Sequence, residues 1–157
     1  MQNNYKNILV PVDGSKEAKL AFDKAVAVAK DTNASIHMVH VIDTRSFQNI
    51  SSFDSSMIEE ATDNVKKTLD DYLSQANDAG IKNIDYSIEY GAPKFVIAKE
   101  TPQRYHTDLI MMGATGLNAF ERLMMGSVSD YVSKAASCDV LIVRTDTNNQ
   151  PVKQPKE

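Results

Sequence analysis

Three glycines and a serine lie between a largely apolar segment and a helical pattern in the C-terminal half of the chain. Residues 108–112 precede Gly113 and Gly116, and Gly126 is followed at once by Ser127. Glycine lets the backbone turn and lets a ligand approach closely because it has no Cβ, and a helix N-terminus attracts anions. A strand, a glycine loop and a helix N-terminus are what a phosphate site requires. Glycines also occur in such turns for geometry alone, so both interpretations stay open.

A second turn with a side chain that could bind a ligand follows the first predicted strand. Residues 5–12 are mostly apolar and predict a buried strand, whose end is marked by Pro11 because proline cannot donate to a ladder. Asp13 and Gly14 then predict a turn, with Ser15 as the N-cap of a helix. Asp13 can accept hydrogen bonds from ribose hydroxyls or bind a metal carried by phosphates. A turn carboxylate or loop cap is the open alternative.

The remaining sequence alternates between the periodicities of strands and helices. Predicted strands cover residues 5–12, 35–42, 84–90, 108–112 and 139–144, and predicted helices cover 16–30, 56–79, 93–104 and the stretch from 128 onward. This alternation predicts one α/β domain over residues 1–145, with a parallel sheet and helices on both faces. Apolar and polar residues alternate along 84–90, which is typical of an outlying strand.

Three shorter features complete this outline of the domain. Residues 44–55 are polar and predict a mobile connection. Ser56 predicts a capping box at the start of the second helix, and Gly80 predicts its end. Residues 146–157 are polar, with two prolines, and predict a disordered tail.

Open parallel sheets bind ligands beyond the carboxyl ends of their strands, where the strand order reverses. Asp13 follows the first strand, and the glycine loop follows the fourth. If these two strands are neighbours, a single crevice holds both turns.

Composition excludes several classes of function. The chain has 157 residues and a formal net charge of −4, which argues against attraction to nucleic acid or to an anionic membrane. Its one cysteine, Cys138, cannot form an intrachain disulfide and fits a reducing compartment. No apolar run approaches the ~18 residues of a membrane span, and the N-terminal residues do not resemble a signal peptide. We therefore expect a cytoplasmic protein.

Several familiar site motifs are absent from the sequence. No Gly-Lys dipeptide exists for a P-loop, and only Gly14 follows the first strand, where a dinucleotide fold has its glycine fingerprint. Asp43 after the second strand is a weak counterpart of the ribose-binding acid of that fold. His37 and His40 lie three apart within a strand and point to opposite faces, so they predict no metal site. The sequence shows no nucleophile beside a base.

These residues together resemble the universal stress protein family, in its small single-domain type. The spacing Gly113-x2-Gly116-x9-Gly126-Ser127 is similar to the ATP-binding motif of the nucleotide-binding, UspA-like branch. Supporting similarities are the first strand with Asp13-Gly14-Ser15, the strand before Gly113, and the last strand. The resemblance covers roughly residues 7–144.

The resemblance implies an adenine nucleotide alpha hydrolase-like fold, an open five-stranded parallel sheet in the order 3-2-1-4-5, with ATP in its crevice. Mg²⁺ or Mn²⁺ would accompany the phosphates. The implied nucleotide-binding residues are Pro11, Val12, Asp13, Val41, Met112, Gly113, Gly116, Gly126, Ser127, Val128 and Ser129. The family also implies a homodimer in which last strands, here running between Val140 and Arg144, meet across a two-fold axis.

The resemblance implies a nucleotide-dependent switch or binding module in a stress response, rather than a dedicated enzyme. A slow ATPase at the same site and a nucleotide-free dimeric scaffold are the alternatives. Two residues depart from the family pattern. Thr115 stands where many relatives have a basic residue, a role that Arg122 can take, and Asp139 stands where many have proline.

Overall fold

The structure is a computed structural model, and it describes residues 4–47, 55–115, 125–145 and 150. Gly116, Arg122 and the middle of the predicted mobile connection lie outside the described residues. So does the predicted tail, apart from Gln150.

Five strands form one parallel sheet. They are β1 (Asn7–Pro11), β2 (Ser35–Ile42), β3 (Ile84–Tyr90), β4 (Leu109–Gly113) and β5 (Asp139–Val143). Their order in the sheet is β3-β2-β1-β4-β5, and each neighbouring pair is parallel. The predicted fold is confirmed, including the outlying position of β3 and the adjacency of β1 and β4. The strand order reverses between these last two, as in other doubly wound folds.

Within the described ranges, four longer helices cover the two faces of this sheet, and a short 3₁₀ helix, Thr44–Phe47, follows β2. The four longer helices are α1 (Lys16–Thr32), α2 (Ser55–Asp78), α3 (the consecutive segments Pro93–Phe95, Val96–Glu100 and Thr101–Tyr105) and α4 (Ser127–Ala135). Alternate residues of β1 enter different cores, because successive side chains of a strand point to opposite faces. Ile8 and Val10 join one core with Phe22 of α1, while Leu9 joins the other with Ile97 of α3. None of the helices in the described ranges has the length and apolar character to cross a membrane.

The ends of the first two helices follow local sequence signals. The Ser15 hydroxyl accepts the Ala18 N–H at 3.1 Å, so the predicted N-cap of α1 is confirmed. Gly80 adopts φ +96° just after α2, as a helix-ending glycine does. Ser56, the predicted capping serine of α2, lies inside the helix, which already begins at Ser55.

The middle of α3 is a π-helical turn, Val96–Glu100. Here the Thr101 N–H bonds to the Val96 carbonyl, five residues back. Pro102 follows, and it has no N–H to donate, while its ring would crowd the carbonyl four residues earlier. The wider turn relieves this conflict without ending the helix.

Candidate functional site

A cavity of about 370 Å³ opens at the carboxyl ends of β1 and β4, where the strand order reverses. The described residues that line it are Pro11, Val12, Asp13, Ala18, Val39, Val41, Pro93, Ile97, Met112, Gly113, Thr115, Gly126, Ser127, Val128 and Ser129. Every site residue predicted from sequence lies on this wall except Gly116, which is outside the described residues. The turn at Asp13 and the described ends of the glycine loop after β4 therefore share one crevice.

The crevice wall is chemically divided along the sheet. Val39 and Val41 of β2, together with Pro93 and Ile97 of α3, supply apolar surface on one side of β1. Thr115 and the first turn of α4 supply hydroxyls and backbone N–H groups on the other side. Such a wall can hold a flat apolar group at one end and an anion at the other.

Sequence reasoning missed Ala18, Val39, Pro93, Ile97 and Thr115 as members of this wall. Pro93 and Ile97 belong to a helix whose path over the sheet no local pattern reveals. The sequence placed Val39 in a strand but did not show that its side chain faces the crevice. Thr115 was noted in the sequence as a departure from the family pattern but not as a site residue, and it is buried two residues after Gly113.

Asp13 lies in a tight turn that begins α1. Its Oδ1 accepts the Ser15 N–H at 2.9 Å, and Gly14 between them has φ +83°. Asp13 is therefore a turn carboxylate, as one of the two sequence interpretations expected. One oxygen suffices for that bond, so the carboxylate keeps acceptor capacity for a ligand at the crevice, and the two roles are compatible.

Gly113 ends β4 against the first turn of α1. A Cβ at this position would lie 2.8 Å from the Glu17 Cβ and 3.0 Å from its carbonyl carbon. Real Cβ atoms do not approach so closely, and the contact is partly with backbone, which cannot swing away. Packing between β4 and α1 thus requires this glycine whether or not a ligand is present.

The first turn of α4 is fixed to the end of β4 by two hydrogen bonds. The Gly126 N–H donates to the Ala114 carbonyl at 2.7 Å, and the buried Ser129 hydroxyl donates to the Gly113 carbonyl at 2.8 Å. Gly126 occupies the N-cap position with no side-chain cap. The Ser129 hydroxyl therefore joins the helix to the sheet, while Ser127 is exposed at the first helical position.

Charge in the described part of the crevice is sparse. Asp13 is the sole charged side chain among the described lining residues. Behind it, on β2, the His40 ring donates to the Val12 carbonyl, and burial lowers the pKa of His40 below its ordinary value despite the nearby Asp13 carboxylate. The neutral imidazole therefore supports the turn from outside the cavity.

Two other residues considered in the sequence, Asp43 and Cys138, lie outside the lining of the crevice. The Arg45 guanidinium bonds to Asp43 and lowers the pKa of that carboxyl, and neither residue lines the crevice. Burial raises the pKa of the half-buried Cys138 thiol, which makes it a poorer nucleophile. Among the described residues, no three His, Cys, Asp or Glu side chains are grouped to hold a metal ion.

The fold and its crevice define a doubly wound α/β protein with a cavity at the topological switch point, where such folds bind ligands. The sequence matches the Universal stress protein family over residues 4–144. A protein of Staphylococcus epidermidis described as a universal stress protein is 45% identical over 143 residues, which cover 91% of this chain and 86% of the relative. The chain therefore belongs to the universal stress protein family.

Solved structures show the same architecture. The universal stress protein UspA from Lactobacillus plantarum has a TM-score of 0.80 and 30% sequence identity, with 91% of this chain and 100% of that chain covered. A universal stress protein in complex with cAMP has a TM-score of 0.70 and 24% identity, with 92% and 100% covered. The second likeness bears on the fold alone.

Proposed function

We propose that this chain binds an adenine nucleotide, ATP with Mg²⁺ or Mn²⁺, and serves as a nucleotide-dependent switch or binding module in a stress response. The observation that carries the proposal is the divided wall of one cavity. Its apolar side, formed by β2 and α3, suits a base, and its hydroxyl-rich side at α4 suits phosphates. The volume of about 370 Å³ lies within the roughly 300–1,000 Å³ typical of small-molecule sites.

The proposed roles follow the order of the strands. The base lies against Val41 and Ile97, and Asp13 accepts from the ribose. Met112 and Gly113 border the sugar. The phosphates meet Gly116, Gly126, Ser127, Val128 and Ser129, mainly through the backbone N–H groups of residues 127–129, because the Gly126 N–H is bonded to the Ala114 carbonyl. The structure in complex with cAMP supports the proposal to the extent that a related fold holds an adenine nucleotide.

A divalent ion fits this site only as part of the nucleotide complex. The described residues offer one carboxylate at the crevice, Asp13, and no cluster of metal ligands. Mg²⁺ commonly takes one or two carboxylates, with phosphate oxygens and water completing its shell. As an alternative to its bond with the ribose, Asp13 would be the protein ligand, and the ion would supply charge neutralisation that the described wall does not.

Slow ATP hydrolysis is the second candidate, and Asp13 is the observation that favours it. Hydrolysis requires an oriented water and stabilisation of charge at the γ-phosphate. Asp13 can orient a water, but the described wall has no lysine or arginine for the charge. Turnover is therefore expected to be slow and to disappear in Asp13→Asn.

The proposal includes a cytoplasmic homodimer that pairs through β5. This strand is an edge of the sheet, and its residues Val140, Leu141, Ile142 and Val143 are partly exposed in the single chain. Sheet edges tend to be covered because their free N–H and C=O groups pair with other strands. Val143→Lys places like charges across the two-fold axis, so sedimentation velocity should show a dimer in the wild type and a shift toward monomer in the variant.

Calorimetric titration tests the nucleotide site. ATP with Mg²⁺ is titrated into the wild type, into Val41→Phe, which fills the apolar side of the cavity, and into Val28→Phe, a matched change on α1 away from it. We expect saturable binding in the wild type and Val28→Phe, and a loss of at least about tenfold, 1.4 kcal/mol, in Val41→Phe.

Comparison with ADP, AMP, cAMP and GTP in the same titrations defines nucleotide preference. Absence of binding for all of them, with the wild type folded, would reject the proposal and favour the nucleotide-free dimeric scaffold. Equal binding in Val41→Phe and the wild type would place the nucleotide elsewhere on the chain.

A further inference from the structure

A serine, a histidine and an aspartate are joined by hydrogen bonds on the face of the sheet that α3 covers, outside the crevice. His37 of β2 lies opposite Asp85 of β3, and Ser87 follows two residues later on the same face. His37 Nδ1 lies 2.7 Å from Asp85 Oδ1, and His37 Nε2 lies 2.8 Å from Ser87 Oγ. The imidazole thus bridges a carboxylate and a hydroxyl.

The imidazole of His37 is held in this orientation. His37 is buried, and the Tyr105 ring of α3 stacks on it with ring centroids 3.7 Å apart and an interplanar angle of 21°. Both ring nitrogens and one ring face therefore have fixed neighbours. A preorganised base of this kind loses little freedom when it accepts a proton.

Hydroxyl, imidazole and carboxylate in this order form the arrangement that activates a nucleophile. If Asp85 accepts the Nδ1–H, the lone pair of His37 Nε2 faces the Ser87 hydroxyl and can take its proton. Sequence reasoning found no nucleophile beside a base, because Ser87 and His37 lie 50 residues apart and meet only when β2 pairs with β3.

A cavity borders the histidine and the aspartate, and an arginine is bound on the same face of β3. A second cavity, of about 440 Å³, lies at the amino ends of the strands and is lined by His37, Asp85 and Tyr105 among others. Ser87 does not line this cavity and is itself partly exposed, so a substrate reaches its hydroxyl from the surface of β3. On the same face of β3, two residues beyond Ser87, Glu89 binds Arg104 with 2.8 Å between Oε1 and Nη1. The guanidinium has further N–H donors that suit a developing oxyanion.

We propose that Ser87 is a nucleophile that accepts acyl groups from activated esters of small carboxylic acids. Its Oγ forms a bond to the acyl carbon while its proton passes to His37 Nε2. The bond from the acyl carbon to the leaving oxygen then breaks, and that oxygen takes the proton from His37. Water repeats the sequence on acyl-Ser87 and yields the acid and the free serine. Asp85 acts as a positioning residue for the imidazole.

The test uses the full chain and two probes, p-nitrophenyl acetate and an alkyl fluorophosphonate. Release of nitrophenol and the mass of the intact protein are followed in time, and peptide mapping locates the adduct. We expect one adduct at Ser87, none in Ser87→Ala, and a rate reduced about 100-fold or more in His37→Gln. Asp85→Asn should slow the reaction while it leaves the exposed strand folded. Ser133→Ala, which removes an exposed serine bonded to a backbone carbonyl, is the matched control and should react like the wild type.

Failure of either probe to modify the wild type would overturn the proposal. An adduct that persists in Ser87→Ala, or a rate unchanged in His37→Gln, would also overturn it, because a purely structural cluster predicts those results. Circular dichroism establishes that each variant is folded before its rate is interpreted. None of these positions lines the crevice, so nucleotide titration of the same variants keeps this result separate from the proposed nucleotide function.

Discussion

Gly113 and Glu17 hold β4 and α1 in direct contact at the floor of the crevice. The 2.8 Å that would separate a Gly113 Cβ from the Glu17 Cβ leaves no room for any side chain. Glu17 is itself buried. The glycine at the end of β4 therefore fixes the distance between the two elements that carry Asp13 and the loop after β4.

Gly113→Ala should lower the free energy of unfolding by about 1–3 kcal/mol, the usual cost of overpacking. Urea denaturation measures this, with Met112→Leu as a neighbouring volume-conserving control that should cost less than about 1.5 kcal/mol. A Gly113→Ala variant as stable as the wild type would show that α1 can move away. Loss of nucleotide binding in a Gly113 variant cannot be assigned to ligand contact until this stability is known.

Ser129→Ala should destabilise the chain by roughly 1–3 kcal/mol, because it leaves the Gly113 carbonyl without its buried donor. The first turn of α4 should also exchange its amide hydrogens faster, since this bond joins it to β4. Ser133→Ala on the same helix removes an exposed hydroxyl and should change stability by less than about 0.5 kcal/mol. Equal effects of the two substitutions would show that the Ser129 bond does not hold the helix.

The sequence predicted the sheet well because its signals are local. Apolar runs, Pro11 at the end of β1, and Ser15 before α1 depend on neighbours in the chain, and β2 and β3 were predicted with the bounds that the structure shows. The strand order came from the family resemblance. The approach of Asp13 to the loop after β4 then follows from that order.

Local sequence signals could not predict contacts between elements that lie far apart in the chain. The sequence showed that Gly113 permits another group to approach closely, but it did not show that this group is Glu17 of α1. Ser129 was assigned to phosphate binding, while its hydroxyl proton is directed at a carbonyl of β4. His37 was considered only as a metal ligand, because it is strand pairing that brings it to Asp85 and Ser87.

Asp13→Asn should weaken ATP binding by about tenfold or more while preserving the fold. The asparagine Oδ1 can still accept the Ser15 N–H, but the substitution removes the charge and one carboxylate oxygen. Calorimetry with ATP and with 2′,3′-dideoxy-ATP separates the causes. If Asp13 accepts from the ribose, the substitution costs affinity for ATP but little for the dideoxy nucleotide. An equal loss for both would point to the metal ion, and no loss for either would remove Asp13 from the proposed site.

His40 should make the stability of the chain sensitive to mild acid. Because its pKa is lowered in the folded state, the unfolded chain binds more protons as the pH falls through the ordinary value of 6.5. The stability that the chain gains from burying a neutral His40 is therefore complete above pH 6.5. Below that pH it declines until His40 of the folded state is also protonated, with a slope of at most about 1.4 kcal/mol per pH unit for one proton.

His40→Gln keeps a donor for the Val12 carbonyl but cannot titrate, so its urea midpoint should depend less on pH between about 7 and 5. His106→Asn is the matched control, because it removes an exposed histidine at a left-handed position, φ 53°, that asparagine tolerates. We expect the control to follow the wild type, and the His40→Gln curve to be flatter. If His40→Gln and the wild type lose stability in parallel on acidification, the imidazole behind the Val12–Asp13 turn is not the group that confers the pH dependence.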